Sequence, residues 1–253
     1  MYNDRRMDYR IILYIVFGVL PSLAWIAFYL RKDLHPEPKK MIFKAFLLGV
    51  AVTLPVFLIQ IGFKILLDRT GAAGLIYSLT YWFLIIAFSE EFFKYLVFRA
   101  GVLSSREFDE PVDAMIYMVM IALGFAALEN ILYLLPPIDQ INTISFSALV
   151  NRTVVISFVR FIGSTFLHTL CSATVGYFLA LSICEAKRSK ALLILIFGIF
   201  IAVLLHGLYN FSIMTVAGPL KIIIPVAILV FLTFFVISGF EKLKKIKSIC
   251  KLN

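Results

Sequence analysis

Six ionisable side chains sit inside long apolar stretches of this sequence. Glu90, Glu91 and Lys94 interrupt one stretch, Glu129 a second, His168 a third and His206 a fourth. Carboxylates and imidazoles are the groups of general acid–base catalysis and of hard or borderline metal sites. Two chemistries fit them. In one, a glutamate activates water directly while a histidine or asparagine stabilises the oxyanion. In the other, two histidines and a glutamate, with Glu129, His168 and His206 as candidates, hold Zn²⁺ while another glutamate is the base. The compact HExxH signature of zinc peptidases is missing. No GxSxG or paired Cys–His pattern supports a serine or cysteine nucleophile.

The simpler explanation for the charges is an ion pair. Glu90 and Lys94 are four residues apart, share a helix face and can pair. That does not account for the whole set. One lysine cannot neutralise three carboxylates, and adjacent Glu90 and Glu91 point about 100° apart on a helix. Asn130 follows Glu129, Ser172 stands one turn after His168, and Asn210 one turn after His206. Lys94, Asn130 and Asn210 are therefore read as supporting residues. A charge at mid-membrane costs about 2.5–3.5 kcal/mol on insertion scales, and mutual contact is the most direct way to satisfy four spans of such groups.

The elements that position these residues must be membrane helices. The chain has 253 residues, 62% hydrophobic and 15% charged, with a mean hydropathy of +0.98. Soluble domains carry about 25% charged residues. This composition excludes a disordered chain, a collagen-like chain and an ordinary soluble domain. It points to an all-α, polytopic transmembrane helical bundle, read as one integral membrane unit over residues 1–253 with a short basic tail at 241–253. At about 20 apolar residues per span, the pattern predicts helices over residues 11–30, 41–65, 75–98 (or on to 103), 112–135, 161–184, 191–214 and 220–240. That is seven spans, or eight if the segment around 151–161 also inserts. Residues 139–161 can equally lie in the interface as an amphipathic piece or extend a long tilted helix. Pro21 is expected to kink the first span. Gly124 and Gly163 are read as close-packing glycines. The charged start runs into a full-length span without a small-residue cleavage site, so it does not read as a cleavable signal.

The loops set the orientation. Of 24 Lys and Arg, fifteen fall in the flanks on one side and seven on the other. This split predicts a multi-pass cell-membrane protein with its N-terminus outside and its C-terminus cytoplasmic. The same clustering explains the +9 net charge by the lipid bilayer rather than by nucleic acid. On that topology Glu129, His168 and His206 stand about 22–24 Å from the cytoplasmic side, in the outer half. Cys171, Cys184 and Cys250 have no CxxC spacing and read as small packing residues.

The motifs EEFFK (residues 90–94), FAALEN (125–130), the His168 segment and HGLYN (206–210) occur in order on four spans. With the loop DLHPEPKK (33–40) after a span containing Trp25 and Tyr29, this set resembles the PrsW family over nearly the whole chain. The resemblance implies an intramembrane protease, distantly similar to the CAAX prenyl endopeptidases. It implies a single-span membrane protein as substrate, an anti-sigma factor in envelope-stress signalling being the family's founding case. It carries over Glu90, Glu91, Glu129 and His168 as catalytic candidates, with His206 next. The alternative is a proton- or ion-coupled transporter, which would also place Glu and His at mid-membrane. The two-fold internal repeat and paired broken spans of many transporters are not seen. A membrane scaffold with a buried polar lock is the third reading.

Overall fold

A computed structural model describes residues 4–30, 37–135 and 145–246. Within them lie α1 (Asp4–Leu30), α2 (Lys39–Arg69), α3 (Gly74–Leu79), a π-helical segment (Thr80–Phe88), α4 (Ser89–Gly101), α5 (Asp113–Leu134), α6 (Phe146–Ile162), α7 (Ser164–Ile183), α8 (Arg188–Thr215) and α9 (Leu220–Leu243). No strand occurs among the described residues. Seven units are long and apolar enough to cross a membrane, because α3, the π-helical segment and α4 run on as Gly74–Gly101, and α6 and α7 together cover Phe146–Ile183. Residues 33–36 of the first-loop motif, most of the 139–145 stretch, and residues 247–253 of the tail with Cys250 lie outside the described residues.

The axis of the bundle is α5. Every residue from Asp113 to Ala127 is buried, and α5 packs against α7, α2 and α1. Its backbone meets that of α2 through a reciprocal glycine contact. A Cβ on Gly124 would strike the carbonyl oxygen of Phe46, and one on Gly49 would strike that of Ile121. Small residues of this kind let membrane helices approach closely. At the other face, a Cβ on Gly176 of α7 would meet Ala114 O at 2.6 Å. The last helix, α9, runs on to Leu243.

Residues 146–162 do not form an eighth span; they prolong the fifth. The inward face of α6 carries Leu149, Thr153, Ser157 and Arg160, all buried, while Val154, Val155, Phe158, Val159 and Ile162 are exposed. An interfacial helix shows a polar face to water. Here the outward face is apolar from Val154 on, as lipid contact requires, with exposed Ser147 and Asn151 confined to the first turns. The helix breaks at Gly163 (φ −94°, ψ −92°). There Trp25 of α1 donates from Nε1 to Phe161 O at 3.0 Å and stacks on Phe166 with centroids 4.3 Å apart. A Cβ on Gly163 would meet Tyr209 Oη at 2.5 Å and Val159 O at 2.9 Å. Before the break α6 packs on α1, α7 and α5, whereas α8 packs on α7, α9 and the π-helical segment.

The third span changes its winding just before the paired glutamates. π-Helical turns are rare and are found mostly at functional sites. Here one covers Thr80–Phe88 and ends where Ser89 donates from Oγ to Ile85 O at 2.5 Å and Ile86 O at 3.0 Å. Pro21 lies within α1, which continues through it.

Candidate active site

Glu91 is wholly buried and takes three donors. Lys94 Nζ donates to Oε1 at 2.9 Å, His206 Nδ1 lies 2.9 Å from the same oxygen, and Ser172 Oγ donates to Oε2 at 3.1 Å. The shorter lysine pair is thus Glu91–Lys94, three residues apart. The Glu90–Lys94 pair expected from the sequence has its closest N–O distance at 4.0 Å. Lys94 also lies 2.9 Å from His168 Nδ1 and 4.4 Å from the Phe125 ring centroid. An ammonium only donates, so His168 accepts at Nδ1 and carries its proton on Nε2. That nitrogen meets Glu129 Oε2 at 2.8 Å. His206 donates from Nδ1 to Glu91, so in the neutral ring the lone pair lies on Nε2.

Glu90 occupies the centre. Its Oε1 accepts from Gln60 Nε2 at 3.1 Å. Its Oε2 is buried without a hydrogen-bond partner, 3.8 Å from His206 Nε2, 3.8 Å from His168 Nδ1 and 4.0 Å from Lys94 Nζ. The two imidazole rings stand edge to face with centroids 5.0 Å apart. Glu90, His168 and His206 each offer a ligand atom within 4.8 Å of the others. A buried oxygen lacking a donor, beside a bare imidazole nitrogen, fits a metal ion. Glu91 stands behind His206 and Glu129 behind His168, the arrangement by which outer carboxylates orient histidines in metal sites. The sequence offers Glu129, His168 and His206 as metal candidates; the group whose ligand atoms lie close together is Glu90, His168 and His206, while Glu129 pairs with Arg160. The cation competing for the same spot is Lys94, whose ammonium already fills the His168 Nδ1 lone pair.

Glu129 forms the outer edge of the cluster. Arg160 Nη2 donates to its Oε2 at 2.7 Å, and Arg160 Nε donates to Asn130 Oδ1. Asn130 donates in turn to Gly18 O at 3.2 Å and Thr165 Oγ1 at 3.1 Å. It ties α5 to α1 and α7 without facing the cavity. Glu90, Glu129, His168, His206, Arg160 and Asn210 line a cavity of about 850 Å³. Glu91 and Lys94 lie behind that wall. Apolar lining residues Val155, Val159 and Met214 are 60%, 62% and 63% exposed. The cavity therefore meets the lipid-facing surface where α6 and α8 diverge.

Two residues of the site carry no role in the sequence reading. One is Gln60 of α2, whose signal is a lone amide within an apolar span. The other is Arg160, visible only as an interruption of the ambiguous segment. Ser172 was placed one turn from His168, but nothing in its spacing shows that it reaches Glu91.

The profile of the "PrsW family intramembrane metalloprotease" matches residues 37–238. A "Protease PrsW" of Bacillus subtilis (strain 168) is 28% identical over 233 residues, covering 92% of this chain and 94% of that protein. The "Protease PrsW" of Oceanobacillus iheyensis is 31% identical over 215 residues, 85% of this chain and 89% of that one. The same-named protein of Geobacillus kaustophilus is 32% identical over 195 residues, 76% of each chain. No solved structure matches the chain. The buried Glu/His cluster within a bundle of apolar helices, the matched profile and the near full-length relatives agree: the chain belongs to the PrsW family of intramembrane metalloproteases.

Proposed function

We propose that this peptidase cuts a single-span membrane protein near the outer membrane face, and that Glu90, His168 and His206 are its reacting centre. The observation that carries the proposal is the unpartnered Glu90 Oε2, which faces two imidazoles on the wall of a cavity open to lipid. The loop charge split supports an outside N-terminus and a cytoplasmic C-terminus. The cavity lining includes residues near the ends of α2, α5 and α8, such as Gln60, Leu135 and Met214, which on that topology is the outer half. A membrane-anchored anti-sigma factor is the substrate class that the family resemblance implies.

Glu90, His168 and His206 would hold a zinc ion once the Lys94 ammonium gives up the His168 Nδ1 lone pair. When bound, zinc supplies a Lewis acid that polarises a carbonyl oxygen. The protein's own groups do the rest. Glu91 fixes the His206 ring through Nδ1, and Glu129 fixes the His168 ring through Nε2. Gln60 holds Glu90 in place, and Asn210 offers an amide to the substrate backbone. A transmembrane helix hides its carbonyls in its own hydrogen bonds, so the substrate must present an unwound or juxtamembrane stretch.

A second reading follows from Lys94. Its ammonium at His168 Nδ1 suits a site in which Glu90 itself is the base on water and the histidines stabilise the oxyanion. The deciding experiment is co-expression with candidate single-span substrates, comparing wild type with Glu90→Gln and mapping the cut. Cleavage at the outer juxtamembrane region, lost in the variant, is expected. A cut on the cytoplasmic side would overturn the topology, and full activity of Glu90→Gln would overturn the assignment. The cluster is also what a proton-coupled transporter would use, but family membership favours the peptidase.

A further inference from the structure

An arginine buried in a lipid-facing helix needs a strong reason to be there. Arg160 is 9% exposed and stands one turn before the break at Gly163. Its guanidinium spends itself on a single turn of α5. Nη2 binds Glu129, Nε binds Asn130, and the guanidinium carbon sits 4.1 Å from the Tyr133 ring centroid. Only a planar fork can make those three contacts together; a lysine can make one.

The oxygen that Arg160 holds, Glu129 Oε2, is the one that meets His168 Nε2. On the far side of that ring, Lys94 meets Nδ1. The imidazole is thus clamped between a carboxylate set by one cation and a second cation acting directly. We propose that Arg160 is a positioning residue: it fixes the Glu129 carboxylate so that His168 keeps its proton on Nε2 and turns Nδ1 toward Glu90. Without the guanidinium, Glu129 loses its ion-pair partner and swings toward the cavity, and the His168 Nε2–H loses the acceptor that orients its ring.

The inference rests on His168 belonging to the reacting centre, so its test needs a readout independent of turnover. The chain has three histidines, which makes histidine-selective ¹⁵N labelling of the full-length protein in lipid nanodiscs readable. In the wild type the His168 signals should show the Nε2–H tautomer, with assignment by His168→Gln. Arg160→Met should shift the His168 Nε2–H signal, whose acceptor is no longer held, and leave His206 in place. Cleavage of a membrane-anchored substrate should fall about 10²-fold in kcat, the cost of misplacing a reacting group by about 1 Å, with little change in KM. Arg160→Lys should restore part of both, and ethylguanidinium entering through the cavity should partly rescue Arg160→Ala. Unchanged His168 signals in a folded Arg160→Met protein would overturn the proposal, whatever the activity. So would an activity loss that tracks the loss of thermal stability and is rescued by neither lysine nor guanidinium. Shifted signals without any effect on kcat would leave the clamp standing and remove His168 from the reacting centre.

Discussion

His206 Nδ1 lies 2.9 Å from Glu91 Oε1, while its Nε2 faces Glu90 Oε2 at 3.8 Å. One imidazole therefore stands between two sequence neighbours in different states. Glu91 is sealed in by three donors, and Glu90 keeps one oxygen without any. Adjacent residues on a helix point about 100° apart, and here that angle separates a scaffold carboxylate from one that lines the cavity.

The contrast predicts different failures for the two glutamines. Glu90→Gln keeps the bond from Gln60 and breaks no close ion pair, so thermal stability of the metal-free protein should hold while cleavage falls by about 10²–10⁴. Glu91→Gln deprives buried Lys94 of its carboxylate, and breaking a buried pair costs about 3–5 kcal/mol. That variant should lose both melting temperature and activity. Equal melting temperatures for the two purified variants would contradict the assignment.

Lys94 should behave as the other half of that pair. Lys94→Met alone leaves Glu91 as an unpaired buried charge and should destabilise the protein. The double variant Glu91→Gln/Lys94→Met should recover part of the stability lost by either single change and none of the activity. A double-mutant cycle on unfolding in detergent measures the coupling, and additive losses would argue against a direct pair.

Metal content separates the two mechanisms. Purified wild type is expected to carry close to one zinc per chain by elemental analysis, and Glu90→Gln or His206→Ala far less. Stripping the metal should abolish cleavage, and adding zinc back should restore it. Fully active protein without metal would establish Glu90 as the direct base.

The helix contact that positions Gln60 can be tested from a distance. Gly124→Ala drives a methyl group into the Phe46 carbonyl and must push α2 from α5. Overpacking of this kind costs about 1–3 kcal/mol, and activity should fall because Gln60 leaves Glu90. Gly62→Ala, which meets nothing within 4 Å, is the control expected to retain stability.

The number and order of spans were legible in the sequence because a bilayer demands about 20 apolar residues per helix and the chain alternates such runs with charged loops. The polar candidates were legible for a related reason. A membrane interior tolerates few of them, so Glu90, Glu91, Glu129, His168 and His206 stood out by type alone. Which atom meets which was decided only in three dimensions. Spacing proposed Glu90 for Lys94, yet Glu91 lies closer, after a π-helical turn whose winding the periodicity of the sequence did not show. Gln60 and Arg160 entered the site from helices α2 and α6, and no spacing within one helix reports the rotation of another. That rotation is set where backbones touch, at Gly49 and Gly124, and where α6 turns away at Gly163. Local propensity marks the polar groups and the spans, but the contacts among them depend on helix rotation, spacing and breaks that arise only when the whole bundle is packed.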